Sequence, residues 1–482
     1  MQTATARAEP PIDHTSRTSH PLRRLAAEYG IAFTEMAAVL LLTLTPACAL
    51  AQSSTQAQPL AQPQVTLPAN APSGPSPALG QRLADEGIRI NSLAYDIFEN
   101  NINTGNRIGR TSNNVTVFLG MDFDLGKLLG IEGGTLHVGV GLFFGRVRNG
   151  PRVNAIQDTS SALGGLPILN RSRSWYLTAL SYEQKLLDGR LDIEAGRVNA
   201  KHAFDLPYGG NAYSDDDPVF VMDGGTSPAP YAHWGARASY RLTPRWQVGL
   251  GAYEVFPAEI RTFGTDWRFD QATGALFVAN AVYQTHFPDT DLPGRYEVVP
   301  FHNTSPVADP LAPQTEHAGP YGIATRFQQA IWRAYGPGRN LTAPQHLDAL
   351  GSVSYSPNPY VLATSNEELG LGLFGLTSTT PDDSILIKVD HLRLTSRAIA
   401  FETEARVAAG GPDVSTGQDE FRFEANAHIE LGHGFAFEPT AEYILNPDSD
   451  GLPDSPRVPR SGFAVAGMLV LKPNVLLGLD PG

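Results

Sequence analysis

The sequence predicts an all-β, transmembrane antiparallel β-barrel of 16 strands around a water-filled lumen, and three observations carry that expectation. Stretches of about ten residues recur in which apolar and polar side chains strictly alternate, the mark of a strand with one apolar face. After residue 51 no run of 18 consecutive apolar residues occurs, which removes helical membrane spans. Tight turns alternate with long connections rich in Pro, Asp and Gly, the asymmetry expected of a barrel in an outer membrane.

The alternation is clearest from Glu420 to Leu431. Phe421, Phe423, Ala425, Ala427, Ile429 and Leu431 share one face, and Glu420, Arg422, Glu424, Asn426, His428 and Glu430 share the other. On a helix the same residues would scatter around the axis. The pattern repeats at Val115 to Phe123, at Leu136 to Phe144 and at Ala236 to Leu242. It also predicts a strand in which Phe401, Thr403, Ala405 and Val407 oppose Glu402, Glu404 and Arg406, and another from Phe435 to Leu445. Phe463 to Leu471 keeps the apolar face, but its second face is nearly apolar as well.

Leu187-Asp188-Gly189-Arg190 and Thr243-Pro244-Arg245 read as tight turns, and 147–172, 201–231, 257–273, 303–319 and 447–461 as long loops. Trp175, Trp234, Trp246, Tyr443 and Phe463 stand near strand ends as candidates for an interfacial aromatic girdle. Gly139/Gly141, Gly249/Gly251 and Gly370/Gly372 fall on the polar faces and are expected to leave room for water on an inner wall. About 17 strand-like segments lie between Ile88 and Leu471; an even number is required, which gives 16, with the first (Ile88 to Glu99) and the last the weakest.

Residues 1–51 read as a signal peptide: Arg23 and Arg24 precede an apolar run from Met36 to Leu44, and Ala49-Leu50-Ala51 is a small-residue cleavage pattern. An extended leader and a start at Met36 both fit. The run is short of the ~20 residues an anchoring helix needs, and Thr45-Pro46-Ala47 is a poor lipobox before Cys48. Cys48 is the sole cysteine and lies in the leader, so the mature chain would carry no disulfide, cysteine nucleophile or cysteine metal site. Residues 52–79, rich in Gln, Pro, Ala and Ser, read as a flexible linker, and 80–482 as the barrel domain. The leader's four basic and four acidic residues cancel, so the net charge of -14 stays with the mature chain and argues against nucleic-acid binding.

The order of segments resembles the OprB-type carbohydrate-selective porins from about Gly87 onward. The resemblance is carried by Gly87-Ile88 leading to Phe98-Glu99-Asn100, by Asp122 to Gly134, and most strongly by the hairpin Leu180 to Ala200, followed by Phe204 and Trp234-Gly235-Ala236-Arg237. It implies passive diffusion of sugars such as glucose across the outer membrane, with membrane lipid and lipopolysaccharide as surroundings, no cofactor and no enzyme activity. Two departures stand out. The loop after Phe204 carries Asp215-Asp216-Asp217 in place of the family's Cys and Phe-Asn runs, and the chain continues from Lys472 to Gly482 where such barrels end on an aromatic.

A sugar losing hydration must regain hydrogen bonds on the wall, from carboxylates, guanidinium groups and aromatic faces, and must stay weakly held. By parity the lumen-facing candidates are Asp122, Asp124, Arg237, Arg241, Lys388 and Asp390, then Glu402, Glu404, Arg406, Arg422, Glu424, His428, Glu438 and Glu442. Glu183 and Arg197 join them from the family-like hairpin, although Arg197 has the apolar parity and needs a bulge or strand end to point inward. For each residue the plainer alternative is a solvated, salt-paired wall position. Glu402 and Glu404 sit at the ~7 Å spacing of a strand's i, i+2 pair, which overlaps inverting glycosidase carboxylates, but such pairs recur and read as wall. Asp448-Ser449-Asp450-Gly451 and Asp215 to Asp217 lack the full calcium-loop pattern, so no metal is expected. A general or cation-preferring porin and a secreted carbohydrate-binding or hydrolytic β-protein are the competing readings, and the oligomeric state is left open, a homo-oligomer included.

Overall fold

The computed structural model describes residues 77–147, 163, 174–204, 217–225, 231–256, 263–285, 290, 292–334, 345–377, 380 and 382–480. The leader, all of the linker before residue 77 and Asp215 and Asp216 lie outside the described residues. The first half of the wall comprises β1 (Ile88–Asn101), β2 (Arg110–Asp124), β3 (Gly134–Val147), β4 (Ser174–Leu186), β5 (Leu191–Val198), β6 (His233–Arg241), β7 (Trp246–Val255) and β8 (Gly274–Gln284). The second half comprises β9 (Gly294–Asn303), β12 (Tyr321–Arg333), β13 (His346–Tyr355), β14 (Ala363–Phe374), β15 (Ser384–Leu394), β16 (Asp419–Gly432), β17 (Phe435–Leu445) and β18 (Gly462–Leu471). Between β9 and β12 a small hairpin, β10 (Val307–Asp309) and β11 (Ala312–His317), forms a sheet of its own.

Every neighbouring pair of wall strands is antiparallel, and β1 pairs with β18 to close a 16-stranded barrel. Closure satisfies the edge groups that lipid could not hydrogen-bond. The two weakest segments of the sequence reading are therefore both real strands, joined in register from Ala94↔Leu471 to Asn101↔Ala464. The surplus segment is 401–407, which is helical.

The helices are short: α1 (Pro77–Asp85), α2 (Leu125–Leu129), α3 (Lys201–Phe204), α4 (Ser396–Ala408) and α5 (Pro473–Leu476). In α4 the buried side chains are Ala398, Ile399, Glu402 and Arg406, a three-to-four-residue period, and Thr395 caps the first turn by accepting from the Ala398 amide. Ala, Glu and Arg are strong helix formers. The i, i+2 alternation there was accidental, so Glu402, Glu404 and Arg406 are not strand positions on the wall.

Within the strands polarity runs as the alternation requires. Along β16 and β17 Phe423, Leu431 and Phe437 are exposed on the outside while Glu420, Arg422, Glu424, Glu438 and Glu442 are buried inside. An apolar row facing lipid needs no protein partner. Tight turns at Leu187–Arg190 (φ 54° at Leu187 and Asp188) and at His433-Gly434 lie at one end, with both termini of the wall. The long connections after β3, β5, β7, β9 and β17 lie at the other end, together with 395–418, which contains α4, while the connection from β12 to β13 belongs to the turn end. Short turns face the periplasm in such barrels and long loops face outward. Ring pairs mark both rims: Trp246 with Tyr283 (4.9 Å between centroids) at the turn end, and Tyr443 with Phe463 (4.8 Å) at the loop end.

The C-terminal continuation has a place. Lys472 donates its backbone N–H to the Gly434 carbonyl, and α5 seats on β1, where the Asn474 amide donates to Ser92 Oγ at 2.7 Å. The register of β18 is intact beside it.

Candidate functional site

Two groups of charged side chains line the inside of the wall, separated by β18 and β1 on one side and by β7, β8, β9, β12 and β13 on the other. The first is built on β2 to β6. Register sets Asp122 opposite His137, Glu183 opposite Glu194, and Glu194 opposite Arg237. Arg237 reaches three carboxylates, Glu194 at 2.8 Å, Asp192 at 3.3 Å and Glu183 at 3.4 Å. His137 bridges Asp122 (2.7 Å) and Glu183 (3.5 Å), and Lys185 lies 3.3 Å from Glu183.

The second group is built on β14 to β17, where register places Lys388 opposite Glu424 and Asp390 opposite Arg422. Lys388 binds Glu368 at 2.6 Å, and Arg422 binds Asp390 at 2.9 Å and Glu424 at 3.5 Å. Nearer the turn end His428 contacts Glu438 (2.7 Å) and Glu430 (3.5 Å). The second group is buried apart from half-buried Glu430, covered by its partners and by loops that fold inward, whereas the first is half-buried apart from Glu183.

The infolded loops shape the lumen between the two groups. After β5, α3 places Phe204 against Tyr253 of β7, and its carbonyl accepts from Arg326 of β12 at 3.1 Å. Asp217 then caps a π-helical turn, Pro218–Asp223, and accepts from Ser354 Oγ of β13 at 2.7 Å. At its other end Asp223 accepts from the Leu362 and Ala363 amides (3.2 and 2.9 Å). Phe220 is wholly buried on Phe301 of β9, 5.4 Å between centroids. Residues 217–223 therefore seat against β13 and the start of β14, well away from β5. There it makes an apolar core inside the barrel with Leu163, Leu276, Val299, Leu392 and Ile399. Leu163, from the loop after β3, also offers its carbonyl to Arg422.

This packing changes the reading of the wall glycines. They do lie on the inner face, but neighbours occupy the space: a Cβ at Gly251 would meet the rings of Phe204 and Tyr253 at 2.7 Å, and one at Gly372 would meet Leu386 at 2.5 Å. The glycines admit side chains and the infolded segment, in place of open water.

Of the predicted positions, Asp122, Glu183 and Arg237 meet in the first group, and Lys388, Asp390, Arg422, Glu424, His428, Glu438 and Glu442 line β15 to β17. Arg241 keeps the inner parity at the turn end of β6. Asp124 instead caps α2, accepting from Gly126 (2.9 Å) and Lys127 (3.2 Å) amides. Arg197 is a correction. It stays on the outward parity opposite Trp234, without turning inward, because carbonyls of Ala232 (2.7 Å) and Asp266 (3.1 Å) receive its guanidinium there. Glu402 and Arg406 are also corrected, from wall to loop: Glu402 accepts from the Ser449 amide at 3.1 Å and Arg406 donates to the Val414 carbonyl at 3.0 Å, while Glu404 is exposed. Burial, with Asp448 and Asp450 nearby, pushes the Glu402 carboxyl up to about 9.

Sequence reasoning passed over His137, Asp192, Glu194 and Glu368. The first three had a signal, since they alternate with Leu136, Ile193 and Ala195; Glu368 was hidden by the adjacent Glu367. Asp217 and Asp223 have none, because loop residues follow no period. No group of three or more His, Cys, Asp or Glu among the described residues is arranged to hold a metal ion.

The family model for "Carbohydrate-selective porin, OprB family" matches residues 110–479. The chain is similar to the porin QuiX of Acinetobacter baylyi, 23% identical over 393 residues covering 76% of this chain and 86% of that one. It is also similar to Porin B of Pseudomonas aeruginosa, 26% identical over 208 residues, 40% of this chain and 43% of that one. Among solved structures, the high-pH form of Pseudomonas putida OprB shares the fold with a TM-score of 0.66 at 19% identity, covering 81% of this chain and 95% of that one.

Proposed function

The chain belongs to the carbohydrate-selective porin, OprB family, and from that premise we propose that it is a passive outer-membrane channel for small sugars such as glucose. The leader, cut after Ala51, would deliver it. The observation that carries this reading is the pairing of two dense charged walls with an infolded segment between them. A sugar hydroxyl both donates and accepts, and the half-buried first group offers both partners in fixed positions, with Asp122, Asp192 and Glu194 accepting and Lys185 and Arg237 donating, while the buried second group holds the infolded loops. Because the charges are already paired with each other, a neutral solute competes only for spare lone pairs and N–H groups. Weak, repeated contacts of that kind let it leave as readily as it enters. No catalytic step is part of this function.

A cation-preferring general porin is the second reading, favoured by the carboxylate excess of the first group and the net charge of -14. Liposome swelling separates the two. With the chain reconstituted, glucose and similar sugars should enter faster than amino acids of equal size. Equal rates for both would sink the sugar-selective reading and leave the general porin.

A further inference from the structure

Strand β5 ends at Val198, so above Leu180, its last partner in β4, the upper stretch of β4 has no β5 residue beside it. The 263–273 part of the loop between β7 and β8 fills that seam from outside. It runs back across β6 and β5, and the Leu177 amide of β4 donates to the Phe263 carbonyl at 3.0 Å. Gly264, at φ +73°, passes so close that a Cβ would lie 2.6 Å from the Leu177 carbonyl. Phe263 stacks on Trp175 (5.7 Å, 19°) and Phe269 on Trp234 (5.8 Å, 28°), while Trp234 Nε1 donates to the Trp267 carbonyl at 3.3 Å. Both tryptophans beneath the loop point outward from the wall.

This explains the anomalous parity of Arg197. A guanidinium on the lipid face is costly toward the midplane and nearly free at the rim. Here it lies under the loop, over the Trp234 ring at 5.8 Å, with its N–H groups on carbonyls of Ala232 and Asp266. It is fully buried, and it ties the loop to the outer wall. What the loop exposes includes three rings, Phe263, Trp267 and Phe269 at 47%, 49% and 53%, beside the exposed Arg268 and Asp270. Aromatic rings of this type settle at the boundary between headgroups and acyl chains, and the patch is continuous with the lipid-facing rim.

We infer that the β7–β8 loop is a lateral membrane anchor, pinned by Arg197 and inserting Phe263, Trp267 and Phe269 at the headgroup–acyl boundary of the surrounding lipid. The test uses the full chain in a Cys48→Ser background, carrying Trp267→Cys labelled with bimane, in phosphatidylcholine vesicles with a nitroxide on a shallow acyl carbon. Ser415→Cys, on an exposed loop, is the aqueous comparison. Nitroxide should quench position 267 at least about threefold more than 415, and aqueous iodide should do the reverse. Adding Arg197→Ala should abolish that difference while the barrel still migrates as a folded species on unheated gels; Arg197→Lys serves if the alanine variant does not fold. Iodide quenching of 267 equal to that of 415 in the parent, or unchanged lipid quenching once Arg197 is removed from a folded barrel, would overturn the anchor.

Discussion

Replacing Arg237 by Gln removes the one guanidinium that serves three carboxylates of the first group. Asp122, Glu183, Asp192 and Glu194 surround His137, Lys185 and Arg237, and the variant makes the local charge more negative by one unit. One unit charge is worth about 1 kcal/mol at 4 Å in water, hence about 0.6 kcal/mol for a hydrated ion passing at about 7 Å. A cation gains that amount and an anion loses it, so the permeability ratio should move roughly sevenfold toward cations. The assay is the reversal potential across a planar bilayer under a KCl gradient. It is run near 0.01 M, where the Debye length is about 30 Å, and again near 1 M, where it is about 3 Å and the shift should collapse. A shift toward anions, or none at low salt, would refute the placement of Arg237 in the ion path.

Three further outcomes are expected. Phe220→Ala should empty part of the inner core at a cost of about 3–5 kcal/mol, loosen the infolded segment and raise single-channel conductance; unchanged conductance would mean the segment does not narrow the path. Lys388→Met should leave Glu368 buried without the Lys388 ammonium and destabilise the barrel by an amount on the order of 3–5 kcal/mol, read as a lower unfolding temperature on gels. Adding Glu368→Gln should recover most of that loss, and no recovery would show that the pair is not the cause. Glu402 titrates at about 9 against an ordinary 4.5, raised by burial and by Asp448 and Asp450. Its contribution is thus full below about pH 4.5 and fades as pH rises toward 9. Protease cleavage in 395–418 and 446–461 should rise over that window in the parent and stay flat in Glu402→Gln; parallel profiles would exclude Glu402 as the titrating group.

How much was legible depended on where each residue's partners lie. Strands such as β16 have lipid on one side and polar groups on the other, so their pairing face is written in the alternation of Phe421 to Leu431. The strands beneath the infolded segment carry apolar residues inside as well, such as Leu276, Val278, Val299 and Phe301, and parity alone says little about them. The helical stretch 396–408 misled because Phe401 to Val407 alternates by chance, although the buried set 398, 399, 402 and 406 was readable as a helix. Arg197 was flagged by its parity, but the carbonyl that receives it belongs to a loop 69 positions away, a relation no local pattern contains. Asp217 and Asp223 act through backbone amides and a hydroxyl on β13 and β14, which depends on the chain's path across the lumen.

That path also orders events in time. Residues 217–223 follow β5 early in the chain, yet their anchors, Ser354 of β13, Leu362 just before β14 and Ala363 of β14, are synthesised long afterwards. Once β1 and β18 zip together, the wall is a continuous hydrogen-bonded cylinder, and a segment left outside could enter only through a mouth. Phe220 and its neighbours, tethered at the loop end between β5 and β6, have that mouth as their way in. A barrel can therefore be closed and correctly stranded while its interior is still unfilled.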